Sequence, residues 1–194
     1  MPRTPEQYEE IREERRKLIM ETALELFATQ GYHGTSINNI ATKAGISKGL
    51  LYNYFSGKEE LVIEIMKKGF FDLMVLFDPD HDGNLTKSEL KYFVTEVLKL
   101  VKKNVRFWRL YFAVLTQPIV NQVAFSEIME IAMPVLEVLT DYFKRMGYDN
   151  PKDEARMFAA MMDGLTLNYV YDPENFPVET VIRRISEIYN LDDK

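Results

Sequence analysis

Apolar side chains recur along this chain at the spacing of helices, and strand-like alternation is scarce. Ile19, Ala23, Leu26 and Phe27 share one face of a segment expected to run from about Glu6 to Gln30, where Gly31 stops it. Ile37, Ile40, Ala41 and Ala44 then follow at i, i+3, i+4 and i+7, behind Thr35 or Ser36, either of which can cap a helix. Gly45 ends that short helix. Ser47 caps a third, expected to reach about Phe55 before Ser56-Gly57 breaks the chain. A fourth helix is expected from Lys58 to about Phe77. A fifth begins between Leu85 and Glu89 and ends near Lys103; others are expected over about 104–116, 119–146, 151–171 and 178–190, punctuated by Gly147, Asn150-Pro151 and Asp172-Pro173. The pattern predicts an all-α fold of about nine helices. A small N-terminal unit, residues 1–57, is joined through helix 4 to a larger C-terminal helical bundle, residues 58–194.

Composition narrows the function classes. With 46% hydrophobic and 12% aromatic residues in 194, a sizeable core is available. The absence of cysteine rules out disulfides and thiolate metal sites and suits a reducing cytoplasm. No apolar run of about 18 residues is present to cross a membrane. The N-terminus, MPRTPEQYEEIREERRK, is charged where a signal peptide is apolar. A soluble, cytoplasmic protein with no membrane partner is expected. The net charge of −6 argues at first against nucleic acid, but it is unevenly spread. Residues 1–70 hold 10 basic and 10 acidic side chains, and residues 71–194 hold 14 and 20. The 33 residues between Glu25 and Glu59 contain no carboxylate, only Lys43, Lys48 and Lys58. A polyanion responds to the local field rather than to the global sum.

Helix 2, a turn containing Gly45 and helix 3 have the form of a helix-turn-helix. On a helical wheel Leu51 and Phe55 define the inward face of helix 3, while Gly49, Leu50 and Asn53 centre on the outward one. Lys48 and Tyr52 lie on one flank and Tyr54 on the other. The outward face thus combines a glycine that permits close approach with an amide that can pair with a base edge. The flanks carry donors suited to phosphate oxygens. The N-termini of helices 2 and 4, at Thr35-Ser36 and at Lys58, add backbone N–H groups and positive dipole ends. The alternative is that Tyr52 and Tyr54 are half-buried packing residues of an ordinary bundle.

The stretch "ALELFATQGYHGTSINNIATKAGISKGLLYNYFSGKEEL", residues 23–61, closely resembles the DNA-binding domain of the TetR family of transcriptional regulators. The resemblance implies a dimeric, all-helical regulator, most simply a repressor that leaves a near-palindromic operator when a small ligand binds. It also implies DNA contacts at Thr35, Ser36, Lys48, Gly49, Tyr52, Asn53, Tyr54 and Lys58. The segment "MMDGLTLNYVYDPENFPVETVIRRI" resembles that family's last two helices, which form its dimer interface. Between residues 92 and 169 the rings and methionines, among them Phe93, Trp108, Met129, Phe158 and Met162, read as core. The resemblance gives some of them a face on a largely apolar ligand. Asp163-Gly164 interrupts an apolar helix: Gly164 suits close packing at a dimer interface, and Asp163 is read as solvated at its edge, with a pocket role as the alternative.

A second motif lies at 78–89. "DPDHDGNLTKSE" matches the EF-hand calcium loop position by position: Asp78, Asp80 and Asp82 at 1, 3 and 5, Gly83 at 6, Asn84 at 7 and Glu89 at 12. The same residues have another use, since Thr86-x-x-Glu89 is a capping box and Asp-Gly a common turn. The competing function is therefore a calcium-binding helical interaction protein. No constellation for catalysis is present: the two histidines, His33 and His81, are isolated, and there is no Gly-x-Ser-x-Gly, phosphate loop or paired-histidine motif. No enzymatic activity is expected, and no cofactor is required, with calcium the one candidate ion.

Overall fold

A computed structural model describes residues 4–80 and 82–192. Among these it contains nine α-helices and no strand: α1 (Pro5–Gly34), α2 (Ile37–Lys43), α3 (Lys48–Tyr52), α4 (Lys58–Met74), α5 (Lys87–Lys103), α6 (Val105–Leu115), α7 (Pro118–Arg145), α8 (Pro151–Tyr171) and α9 (Val178–Ile188). The chain forms two compact units. The first comprises residues 1–67 and 110–126, the second 68–109 and 127–194. Residues 110–126, from the end of α6 and the start of α7, thus pack with the N-terminal helices.

Local chemistry explains the first unit. Thr4 and Gln7 form a capping box at the start of α1. Its helical geometry is interrupted at Gly31, where φ is +75°, a conformation that costs a glycine little. Ser36 caps α2 by accepting from the Asn39 N–H at 3.1 Å, and Ser47 caps α3 by accepting from the Leu50 N–H at 3.1 Å. Between them Gly45 turns the chain with φ +69°. Ile19, Ala23, Leu26, Phe27, Ile40, Leu51 and Phe55 are buried together with Leu61 and Ile65 of α4. The faces expected from the wheel are the ones turned inward. Two helix ends fall earlier than expected. After Tyr52 the N–H groups of Asn53 and Tyr54 reach back only three residues, to Leu50 and Leu51, and those of Leu76 and Phe77 do the same beyond Met74. Each helix closes in a tightened last turn.

Residues 110–126 are fastened to α1 by polar contacts as well as by burial. The Gln117 side chain donates to the Phe27 carbonyl at 2.9 Å and accepts from the Tyr32 N–H at 2.9 Å. The Tyr111 hydroxyl donates to the Met66 carbonyl at 3.0 Å. In the second unit an aromatic core joins Phe77, Phe93, Phe143, Phe158 and Tyr189, with neighbouring ring centroids 5.2–6.4 Å apart. Thr86 and Glu89 form a capping box that starts α5. The Arg109 guanidinium donates to the Val170 carbonyl near the end of α8.

Candidate functional site

The candidate nucleic-acid surface is built on α2 and α3. Lys48, Gly49, Tyr52 and Asn53 are all exposed, and Tyr54 is half-buried. A Cβ placed on Gly49 would meet nothing within 4 Å, so the outward face is open to a close partner. The Lys48 ammonium lies 5.8 Å from the centroid of the Tyr52 ring, which holds the two flank residues together. Ser36 is exposed, and its hydroxyl is engaged with Asn39.

Two residues expected on this surface have other work. Thr35 is buried at 1% exposure. Its hydroxyl donates to the Leu26 carbonyl at 3.1 Å and the Gly31 carbonyl at 2.9 Å, and its N–H turns back to Tyr32. No Thr35 donor is left for a phosphate in this structure, and the side chain closes the end of α1. Lys58 points the same way. Its ammonium donates to the Tyr32 carbonyl at 2.7 Å and the Thr35 carbonyl at 3.0 Å, and sits 4.3 Å from the centroid of the Tyr32 ring. Burial there lowers the Lys58 pKa from its ordinary value. One of its three N–H donors is not taken by these two bonds. Lys43 is paired with Glu25 at 3.0 Å. Of the three lysines in the carboxylate-free stretch, Lys48 alone has no carboxylate or carbonyl partner among the described residues.

The second unit contains a cavity of about 410 Å³. Phe70, Leu73 and Met74 of α4, and Phe77 just beyond it, are among the lining residues. Of the rings and methionines singled out in the sequence, Phe93, Met129, Phe158 and Met162 reach it, whereas Trp108 and Tyr169 are buried elsewhere. The α4 residues went unnoticed in the sequence, although Phe70, Met74 and Phe77 are spaced i, i+4, i+7. Arg156, Asp163 and Thr166 supply the polar part of the lining, all from α8. A shallower groove of about 310 Å³ runs between α8 and α9, walled by Met161, Leu165, Phe176, Val181, Ile185 and Ile188. Tyr171 and Ile188, on the same two helices, are more than half exposed. A Cβ on Gly164 would again meet nothing within 4 Å.

At the loop after α4, carboxylate oxygens of Asp78, Asp80 and Asp82 lie within 4.8 Å of one another. Gly83 adopts φ +73° and donates its N–H to Asp78 Oδ2 at 3.0 Å. The other oxygen of Asp78, Oδ1, is buried with no hydrogen-bond partner. Glu89 is not gathered with the three aspartates. Its Oε2 accepts from the Thr86 N–H at 2.8 Å and the Thr86 hydroxyl at 2.6 Å. Arg145 of α7 holds the loop through the Asn84 side-chain oxygen and the Leu85 carbonyl. Residue 81 lies outside the described residues.

Residues 19–65 match the model for bacterial regulatory proteins of the tetR family, and residues 87–189 match that for the C-terminal part of BetI-type transcriptional repressors. The chain belongs to the TetR family of bacterial regulatory proteins. Its helix-turn-helix segment is similar to that of the HTH-type transcriptional regulator YuxN of Bacillus subtilis (strain 168), 51% identical over 53 residues, 27% of this chain and 18% of that protein. The match to another regulator of that organism, YxaF, spans 26% of its length. The chain therefore covers only a minor part of these relatives. The fold is shared along nearly the whole chain with the fatty acid degradation regulator FadR from Bacillus halodurans: TM-score 0.67, 19% identity, 97% of this chain and 96% of that one. It is also shared with NalD, the secondary repressor of the MexAB-OprM multidrug efflux pump in Pseudomonas aeruginosa: TM-score 0.67, 23% identity, 91% and 94% covered. Family and relatives alike are transcription regulators rather than enzymes.

The inward position of Lys58 has a measurable consequence. Lys58→Met keeps the aliphatic stem but leaves the Tyr32 and Thr35 carbonyls without their charged donor. A loss of about 1–3 kcal/mol is expected, the range for leaving a buried acceptor without its partner. Urea denaturation of the free protein reads it as a lower midpoint at constant slope. A midpoint equal to that of the wild type would place the ammonium in solvent.

Proposed function

We propose that this TetR-family protein is a ligand-responsive DNA-binding repressor. It acts on a near-palindromic operator as a homodimer. The observation that carries the reading is the open outward face of α3, with Gly49 unobstructed, Asn53 exposed and Lys48 and Tyr52 stacked on its flank. Asn53 has the amide that pairs bidentately with adenine, and a helix laid in the major groove brings it to the base edges. Lys48, Ser36, Tyr52, Tyr54 and the remaining donor of Lys58 hold the phosphates on either side. The dimer is supported by the apolar α8–α9 groove and by the free approach at Gly164. Two copies of so short a helix read two half-sites, which a single copy cannot do. The effector is a small, largely apolar molecule held in the cavity of the second unit. It acts through α4, which runs without a break from residues lining that cavity to Lys58.

The test is fluorescence anisotropy with DNA from the region upstream of the gene. Asn53→Ala is expected to relax sequence preference by about 1–3 kcal/mol at one position of each half-site. Lys48→Ala should weaken binding to every sequence alike and flatten the salt dependence. Gly164→Glu should give a monomer by light scattering and lose the operator in the same step. Wild-type affinity in all three variants would mean that neither α3 nor α8 has the role assigned.

A second, compatible reading concerns the loop after α4. The three convergent aspartates and the buried, unpartnered Asp78 Oδ1 favour a calcium ion there, with Glu89 swinging from its cap to complete the set. In this reading calcium staples the start of α5 to the end of α4 and leaves DNA recognition to α3. A lone loop binds weakly, on the order of 10⁻⁵ to 10⁻³ M. At a tenfold excess over Kd the gain is about 1.4 kcal/mol. Thermal melts in calcium and in chelator should therefore separate for the wild type. They should coincide for Glu89→Gln, which keeps the cap but weakens the site. Coincident wild-type melts would reduce the loop to a turn with a capping box.

A further inference from the structure

Every polar group that α8 turns toward the cavity of the second unit has an identifiable hydrogen-bonding character. Thr166 is buried, and its hydroxyl proton is already committed: Oγ1 lies 3.0 Å from the Met162 carbonyl and 3.0 Å from the Asp163 carbonyl. Toward the cavity it can only accept. Asp163, three residues earlier and thus a neighbour on the same helix face, is a carboxylate with no hydrogen-bond or ion-pair partner among the described residues. Asp163 is an exposed residue that also borders the cavity, and the apolar atoms beside its carboxyl raise its pKa from the ordinary value. This part of the wall is therefore acceptor-only and negative. The rings of Phe70, Phe77, Phe93 and Phe158 line the same cavity, and aromatic faces attract cations. Arg156 lies two helical turns away on the same face, about 10 Å along α8.

We infer that the effector is an amphiphilic primary amine. Its protonated nitrogen sits between the Asp163 carboxylate and the Thr166 hydroxyl, and its apolar body lies among the phenylalanine rings. An ammonium head supplies the donors that both groups lack, and its charge offsets the desolvation of Asp163. The guanidinium of Arg156 repels a second cation and so fixes which end of the cavity takes the head group. A cavity of about 410 Å³ accommodates an alkyl or aryl chain together with that head. Asp163 thus has a ligand-binding role rather than that of a solvated residue at a subunit edge.

This inference rests on the reading of the cavity as the effector site. Isothermal titration calorimetry on the full chain, with dodecylammonium and dodecanoate below their micellar concentrations, tests it. The two probes share a chain and differ in head group. The wild type is expected to bind dodecylammonium at least tenfold more tightly. Asp163→Asn should bring the two affinities within about threefold while melting no lower than the wild type. Arg156→Gln should leave the preference for the amine in place. Tighter dodecanoate binding, an undiminished preference in Asp163→Asn, or no binding of the amine by the wild type would each overturn the inference. Operator binding by the same preparation without amphiphile separates the readings. Retained DNA binding with no amine binding refutes the amine alone, whereas lost DNA binding refutes the regulator.

Discussion

The first unit depends on how the end of α1 is closed. A helix that stops at Gly31 leaves its last carbonyls without intrahelical donors, and buried carbonyls must find others. Three side chains from three places in the sequence meet this need. Thr35 reaches back to Leu26 and Gly31, Lys58 takes Tyr32 and Thr35, and Gln117 takes Phe27 while receiving the Tyr32 N–H. The same contacts fix where α2 begins, because Ser36 caps α2 directly after Thr35. They also connect the first residue of α4 to the base of the helix-turn-helix. The presentation of α3 therefore follows from a set of carbonyl contacts, with hydrophobic burial of Leu51 and Phe55 supplying the attraction.

This closure changes the electrostatics of the candidate DNA-binding surface. Thirty-three residues without a carboxylate suggest a basic face, but two of their three lysines are occupied, Lys43 by Glu25 and Lys58 by carbonyls. Of these three, among the described residues, only the Lys48 ammonium has no carboxylate or carbonyl partner, with hydroxyls, an amide and helix N-termini around it. Such a surface attracts DNA less by bulk charge than by directed donors. An acidic chain can carry it because fields fall off within about 10 Å at ordinary salt.

Most of the architecture could be read from the residues. Helix positions follow from Ser36, Ser47, Gly31, Gly45 and the Thr86–Glu89 box, since caps act through side-chain hydrogen bonds and glycines through the backbone freedom of a residue without a Cβ. Leu51 and Phe55 were placed inward by the wheel alone. The roles of Thr35 and Lys58 were not legible, because their partners are backbone carbonyls, which every residue possesses and no sequence marks. Gln117 is 85 residues from Tyr32, and a single polar side chain gives no sign of a partner so far away. The sequence leaves Asp163 between a solvated edge and a pocket role for a related reason. Its position on α8 is plain, but only the packing of α4, α5 and α7 residues shows that this side of the helix borders a cavity. The aspartate loop was legible as a motif, while the engagement of Glu89 with Thr86 follows from the three-dimensional cap.

If α3 is the recognition helix proposed, a surface of directed donors around Lys48 has a distinctive salt response. Operator affinity measured across a series of salt concentrations gives it directly as the slope of log K against log salt. With Lys48 and the remaining donor of Lys58 in each of two copies, two to four phosphates are neutralised. The predicted slope is then about −2 to −4. A slope of about −8 or steeper would contradict this, because it requires many more cations at the phosphates and would assign the contact to the arginines of α1 rather than to α3.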